Sequence, residues 1–308
     1  MNCYNSEKYL AEAIESVLKQ NYNNWELIFW DNNSNDNSAT IFKSYTDQRL
    51  KYYHSSINTS LGEARNLAVE KANGNWISFL DCDDIWDPNR LFLCIDKISQ
   101  CNEIPGFLYT RAIYFRGDSS FVYSNLIQKD TQKNDFIDIL SMENEFKMLV
   151  PSEEFKIFPE NIFNPLLEAF FFPWVTVFIN KEIYSKVGGI NNIYHSVEDY
   201  DILLKISLNH NAYFIDEVTA YYRLHQHNLS VEKTENNLKE AIHLLGTYKP
   251  NKHARKGIFN NKLALTRYFF KNHVFKFLLF SICNPFVTIR FFISILKNGF
   301  KLILSINK

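Results

Sequence analysis

The chain has no acidic residue after Glu240. Positions 241–308 hold 12 of the 33 lysines and arginines and none of the 34 aspartates and glutamates. Positions 1–240 therefore carry 21 basic against 34 acidic residues, a net of −13 concealed by an overall charge of −1. Such a split between parts of a chain predicts two regions that face different partners. Cysteine is sparse and unpatterned. Cys3, Cys82, Cys94, Cys101 and Cys283 form no Cys-x-x-Cys pair, and no signal-peptide pattern accompanies them. That combination points to a reduced, cytosolic protein rather than a disulfide scaffold or a zinc site. Long apolar runs are missing too. In the tail the longest uncharged piece, Phe277–Ile289, has 13 residues and contains Asn284-Pro285, short of the roughly 20 that a membrane-spanning helix needs. There is no internal repeat and no low-complexity tract.

What is present reads as a folded enzyme. Apolar residues make up 46% of the chain, which excludes disorder. A length of 308 residues accommodates one large α/β domain and an appendage. Glu7 to Gln20 places Leu10, Ala13, Ile14, Val17 and Leu18 at the spacing of an amphipathic helix. Strands are expected at 25–30, 49–54, 76–80 and 107–115, and helices at 38–45, 62–73 and 88–100. Alternation of this kind predicts a mainly parallel sheet with helices on both faces. Further strands are expected at 174–179, 212–215 and 220–224, and helices at 181–187 and 198–208. Positions 116–165 show no clear period and read as a loop-rich insertion with a short helix near 135–147.

The run Trp76-Ile77-Ser78-Phe79-Leu80 stops at Asp81-Cys82-Asp83-Asp84. A buried strand that ends in carboxylates puts them at the carboxyl edge of a sheet, where open α/β sheets bind ligands. Three crowded like charges call for a cation. Carboxylate oxygens suit hard divalent ions, which in turn grip phosphates. The alternative is a solvated Asp-rich turn leading into the helix start at Asp87-Pro88.

Tyr4-Asn5-x-Glu7-x-Tyr9-Leu10, Glu15-Ser16-Val17-Leu18-x-Gln20, Trp25-Glu26-Leu27-Ile28 and Asp31-x-x-Ser34-x-Asp36 follow one another. Then come Gly62-x-Ala64-Arg65-Asn66, Phe79-Leu80-Asp81-x-Asp83-Asp84 with Trp86 and Pro88, Gly188-Gly189, Glu198-Asp199 and Tyr222-Arg223-x-His225. In this order the motifs resemble family 2 glycosyltransferases of the GT-A fold over about the first 230 residues. The resemblance implies a GT-A catalytic domain over 1–232 and a basic, aromatic-rich helical region over 233–308. It implies transfer of a sugar, with inversion, from a nucleotide-diphosphate donor such as a UDP-sugar to an acceptor hydroxyl, aided by Mn²⁺ or Mg²⁺. Bacterial members build capsule, O-antigen or lipooligosaccharide on saccharide or lipid-linked acceptors.

The resemblance also implies roles. Asp83 is the direct metal ligand, and Asp81 serves the ribose or the metal's water shell. Asp31 sits by the nucleoside, and Asn32 beside it keeps an acceptor and adds a donor. Asn33 stands where the family usually has glycine, and asparagine tolerates a left-handed turn. Arg65 pairs with the diphosphate or braces an Asp; its plain alternative is a solvated charge on a helix face. Asp199 is the general base, with Glu198 supporting it. The same residues also read as a capping box, Ser196-Val197-Glu198-Asp199, opening a helix. His225 lies near the diphosphate or metal, and His227 competes for that role. Trp86 and Trp174 line the pockets or belong to the core.

The family's first apolar strand is almost wholly absent before Met1-Asn2-Cys3-Tyr4-Asn5. Either the true strand extends upstream of Met1 or the enzyme is damaged, which makes an inactive sugar-nucleotide binder the competing class. A nucleotidyltransferase also uses paired aspartates, but the Gly-rich phosphate loop usual near its N-terminus is not found here. The tail's basic, aromatic, interrupted segments suit helices lying on an anionic bilayer rather than nucleic acid. The expected location is the cytoplasm, at the inner face of the cytoplasmic membrane. The alternative for the tail is a helical subdomain that packs within the protein.

Overall fold

The computed structural model describes residues 1–117, 136–138 and 159–306. The chain forms two compact units, Met1–Phe163 with Phe170–Asn228, and Asn164–Ala169 with Leu229–Lys308. The first part runs β1 (Asn2–Cys3), α1 (Glu7–Leu18), β2 (Leu27–Asp31), α2 (Ser38–Lys43), β3 (Leu50–His54), α3 (Leu61–Lys71) and β4 (Trp76–Ser78). Next come β5 (Ile85–Trp86), α4 (Arg90–Ser99), β6 (Phe107–Phe115), β7 (Phe136–Asp138), β8 (Pro159–Glu160) and α5 (Phe163–Glu168). A single 3-10 turn (Trp174–Thr176) precedes β9 (Phe178–Asn180), α6 (Lys181–Lys186), α7 (Glu198–Ser207) and β10 (Ala212–Arg223). The remaining helices are α8 (Leu229–Glu232), α9 (Thr234–Gly246), α10 (Lys252–Asn272), α11 (Val274–Cys283) and α12 (Pro285–Ile306).

β1, β2 and β3 form a parallel sheet in that order. The first strand is present as two residues, Asn2 opposite Trp30 and Cys3 opposite Asp31. Met1 continues it: its amino group donates to the Ile28 carbonyl at 2.9 Å, and its own carbonyl accepts from Trp30 N. The second sheet runs β4-β9-β6-β10-β5, with β7 on β6 and β8 on β10. The expected parallel pairing holds for β1-β2-β3 and for the long β6-β10 pair, and short antiparallel strands are added to it. β6 and β10 are parallel, but β9 enters antiparallel between β4 and β6, and β5 pairs antiparallel with β10. Alternation along a sequence fixes the kind of element and not its direction.

Three expectations change. The strands expected at 212–215 and 220–224 are one 12-residue strand, Ala212–Arg223, whose ladder to β6 breaks register between Ile215 and Ala220. Residues 174–179 begin as a turn, with Thr176 Oγ1 bonded to the Pro173 carbonyl at 2.7 Å, and only then extend. Phe136–Asp138 pairs with β6 as a strand, while the rest of the helix expected near 135–147 lies outside the described residues.

The core explains the strand and helix placement. Leu10, Ala13, Ile14 and Val17 of α1 are at most 2% exposed and pack with Phe29, Leu80, Leu108 and Phe178. Arg90 opens α4 and is fully buried. Its guanidinium donates to Thr219 Oγ1 at 2.7 Å, Thr110 Oγ1 at 3.4 Å, Ser78 Oγ at 3.0 Å and the Val177 carbonyl at 3.2 Å, and lies over the Trp86 ring. Trp86 is thereby a core residue, 5% exposed, with its indole N–H on the Val175 carbonyl. In the helical unit, α9 and α10 pack around Leu263, Leu265 and Phe269, joined by Phe277, Val287 and Phe291 from α11 and α12. Asn164–Ala169 joins this unit because Gly257 offers no side chain and lies against the Leu167 carbonyl. Among the described residues no helix is long and apolar enough to cross a membrane.

Candidate active site

The stretch after β4 buries Phe79 and Leu80, at 6% and 1% exposure, and turns Asp81 and Asp83 outward. Arg65 of α3 reaches this turn. Its Nη2 donates to Asp81 Oδ1 at 3.3 Å and its Nη1 to Glu198 Oε1 at 3.0 Å. The guanidinium is 4% exposed and lies over the Trp174 and Phe79 rings. Burial alone would lower its pKa, but Asp81, Glu198 and Asp199 outweigh burial and raise it. Arg65 is therefore not a solvated helix charge. It braces an aspartate, as one of the two paired readings required.

Asp83 and Asp84 are held from the end of β10. Arg223 is fully buried. Its Nε donates to the Asp83 carbonyl at 2.7 Å, its Nη2 to Glu12 Oε2 at 2.7 Å and its Nη1 to the Gly117 carbonyl, and it is sandwiched by the Tyr9 and Phe115 rings. Its backbone N–H donates to Asp84 Oδ1 at 2.9 Å. Burial, with Asp83 and Asp81 nearby, pushes the Asp84 carboxyl well up. Two residues on, His225 Nε2 meets Asp83 Oδ2 at 2.8 Å, while its Nδ1 accepts from the His227 N–H at 3.2 Å. An Nδ1 that accepts leaves the ring proton on Nε2, directed at Asp83. Burial and Asp81 raise the Asp83 pKa, and His225 partly offsets them.

Asp31 ends β2 at 1% exposure. It accepts from Ser34 N at 2.8 Å and from the Tyr52 hydroxyl at 2.6 Å. Burial opposes its ionisation, but these bonds prevail and keep its pKa low. Asn33 takes φ +68°, the left-handed turn expected of it. Asn32 is committed elsewhere: its amide donates to the Thr59 carbonyl at 2.9 Å and accepts from Thr59 N and Oγ1. The Ser34-x-Asp36 signature also has a local cause. Asn5 N donates to Ser34 Oγ and Glu7 N to Asp36 Oδ2, supplying partners for the start of α1.

The start of α7 is anchored from α3. Asn66 donates to the Ile190 carbonyl at 2.9 Å and accepts from Ile190 N and the Tyr184 hydroxyl. Gly188 and Gly189 have φ of +89° and +66°, and a β-carbon on Gly189 would sit 2.8 Å from Asn66 Oδ1. A β-carbon on Gly62 would press on Ile190 and approach Glu198. The capping-box reading fails here. The N-cap of α7 is Val197, without a side-chain cap bond, and the Glu198 carboxylate goes to Arg65. Glu198 Oε2 is buried without a hydrogen-bond partner among the described residues. Burial, with the Glu198 charge beside it, pushes Asp199 up to about 7.

The sequence-predicted residues thus gather into linked groups: Arg65 with Asp81 and Glu198-Asp199, and Asp83 with His225. Asp31 lies in its own polar pocket, and Asn32 braces a loop. Trp174 lies 4.9 Å from Phe79, ring to ring, in the wall beside Arg65. Sequence reasoning missed Arg223, Asn66, Glu12 and Tyr9 as functional supports, although all but Glu12 stand inside the quoted motifs. Among the described residues no three His, Cys, Asp or Glu side chains are set to hold a metal by themselves. The carboxylates of Asp83 and Asp81 fit a cation shared with a substrate, with phosphate oxygens and water completing the shell, while His225 orients Asp83 by hydrogen bond.

Residues 1–183 match the family Glycosyl transferase family 2. The chain belongs to that family and is a glycosyltransferase. It is 28% identical over 258 residues to UDP-Glc:alpha-D-GlcNAc-diphosphoundecaprenol beta-1,3-glucosyltransferase WfgD of Escherichia coli, covering 83% of this chain and 87% of that protein. Two solved structures share the fold, which is GT-A. S. aureus TarS 1-349 in complex with UDP-GlcNAc aligns with TM-score 0.54 and 18% identity, over 92% of this chain and 71% of that one. The mannosyltransferase PcManGT from Pyrobaculum calidifontis, in complex with GDP-Man and Mn²⁺, aligns with TM-score 0.59 and 13% identity, over 93% and 80%. Family membership removes the nucleotidyltransferase alternative.

Proposed function

We propose that the chain transfers a sugar, with inversion, from a nucleoside-diphosphate sugar to an acceptor hydroxyl, in the assembly of a bacterial surface polysaccharide. The observation that carries this reading is the Arg65 bridge, which ties the Asp81 turn to the start of α7. Donor-side and acceptor-side carboxylates are thereby fixed to one another. Asp31 receives the nucleoside, accepting hydrogen bonds from ribose or base, and Asn32 shapes that wall by holding Thr59. Asp83, with Asp81 nearby and His225 orienting it, would hold Mn²⁺ or Mg²⁺, which supplies charge neutralisation for the departing diphosphate. Asp199 removes the acceptor's proton. A carboxylate with a pKa near 7 is well matched to that task at neutral pH. Glu198, held by Arg65, orients Asp199 and raises its basicity, and its open Oε2 can accept a bond from the acceptor.

UDP-sugar is the favoured donor, supported by the UDP-glucose named for WfgD and the UDP-GlcNAc bound to TarS. The diphosphoundecaprenol in WfgD's name supports a lipid-linked acceptor. The acid-free tail, with 12 basic residues, supports attachment to the anionic inner face of the cytoplasmic membrane, where such an acceptor lies. Asp199→Asn should lower turnover by about 10²–10⁴-fold while Mn²⁺-dependent UDP affinity, measured by calorimetry, stays within about twofold. In the parent, turnover should rise with pH through about 7, as Asp199 loses its proton, and level off above. Full activity in the variant, or equal loss of UDP binding, would return Glu198-Asp199 to a structural role. UDP binding by the parent without any turnover would favour the inactive-binder reading.

A further inference from the structure

In α11 and α12 the apolar residues point two ways. Phe277, Val287 and Phe291 are at most 8% exposed and form the core of the helical unit. On the other side Phe275, Leu278, Leu279 and Ile282 are 52–77% exposed, and Phe286 and Ile289 follow at 83% and 57%. Within each helix their positions step by three and four residues, so each helix bears an outer apolar stripe, and the two stripes flank the break at Asn284-Pro285. Exposed large apolar residues elsewhere, such as Ile57, Phe92 and Ile104, are scattered singly along the sequence. A cluster of this kind marks an interaction surface.

The charges around it select the partner. Lys271 and Arg290 are exposed, Lys276 is paired with Glu235 at 2.8 Å, and no acid occurs from residue 241 onward. A second copy packed through this face would bring like charges together, because a two-fold interface meets itself. A transverse membrane segment is not supported either, since no described helix is long and apolar enough. An anionic phospholipid surface satisfies both features, with headgroups for the cations and acyl chains for the stripe.

We propose that the outer stripe of α11 and α12 inserts into the interface of an anionic bilayer, so that apolar contact rather than charge alone holds the protein there. This rests on the membrane attachment stated under Proposed function and names the part that carries it. The inserted residues are Phe275, Leu278, Leu279, Ile282, Phe286 and Ile289. Cys283, exposed at the end of α11, lies at the centre of the inserted bend.

The test uses the full chain and vesicles of phosphatidylglycerol with phosphatidylethanolamine, followed by co-sedimentation in low and high salt. Part of the binding should survive high salt, because burial of apolar surface is not screened. The triple variant Phe275→Ser, Ile282→Ser, Phe286→Ser keeps every charge and should bind at least tenfold more weakly, with an unchanged far-ultraviolet spectrum. An environment-sensitive fluorophore on Cys283, in a Cys101→Ser background, should shift to the blue on vesicle addition. A triple variant that binds as the parent does would overturn the insertion while leaving charge-driven attachment standing. Absence of binding by the parent would remove the attachment itself. A fall in oligomeric state of the triple variant without lipid, read by sedimentation, would assign the stripe to a second copy and overturn the proposal.

Discussion

Arg65, Arg90 and Arg223 are at most 4% exposed, whereas Phe275, Ile282 and Phe286 are 74–83% exposed. The sheet-bearing unit takes charge inside and answers it there with carboxylates, carbonyls and aromatic rings. The helical unit leaves apolar side chains outside and surrounds them with cations. A buried charge costs several kcal/mol unless it is well bonded, so the first unit spends its polar groups on holding one geometry. An exposed apolar stripe stabilises nothing in the isolated chain, so its value lies in what covers it. The contrast separates a region built to fix side chains from one built to meet a surface.

The contrast can be tested by stability, because the tryptophans report on one unit alone. Trp25, Trp30, Trp76, Trp86 and Trp174 all lie in the first. Arg65→Met should carry the largest effect. It leaves the Glu198 carboxylate buried without its partner, and breaking a buried pair costs about 3–5 kcal/mol. The cost falls mainly on Glu198, because the Asp81 side chain is 37% exposed and water screens it. Tryptophan fluorescence in urea should show the shift. A change below about 1 kcal/mol would mean that the charge is not held as the geometry implies.

Gly257→Ala comes next, in the other unit. Alanine favours a helix over glycine by about 1 kcal/mol. Here, however, a β-carbon would overlap the Leu167 carbonyl and lie 2.9 Å from Leu245 Cδ1. Overpacking of about 1–3 kcal/mol should win. Far-ultraviolet dichroism should record an early helical loss that tryptophan fluorescence does not follow. Stabilisation would mean that the helices part there at little cost. The smallest effect is expected at Leu278→Ala, one residue from buried Phe277 but 55% exposed. Stability should move by no more than about 0.5 kcal/mol. A loss of about 2 kcal/mol or more would show that the stripe is core, covered in solution by the protein itself.

Local grammar was legible in the sequence, and distant partnership was not. The apolar spacing of α1, the left-handed Asn33 and the paired glycines at 188–189 each follow from residue type and short-range sterics. Asp81, Asp83 and Asp31 could be placed at strand ends for the same reason. The partners of Arg65, Asn66 and Arg223 lie 133, 124 and 211 residues away, at Glu198, Ile190 and Glu12. No local pattern encodes such pairs. Arg223 left one clue, a charge closing an apolar strand just before His225. The direction of β9 left none, since three residues between a turn and a helix fit either sense. Nor could the sequence distinguish inner from outer apolar faces in the tail, because α11 is apolar at every position but Lys276 and Ser281.

Arg90 has a consequence for how the sheet comes together. Its four acceptors belong to β4, β6 and β10 and to the residue just before β9. No carboxylate is paired with it among the described residues, and burial lowers its pKa. The two amino groups of this guanidinium find their partners only when all four segments have arrived. If one strand peels away, a bare cation is left facing apolar neighbours, so partial opening is penalised more than the lost ladder bonds alone would require. The residue acts as a latch on cooperativity: β4, β6, β9 and β10 should open as a single unit, their amides exchanging with solvent together rather than strand by strand.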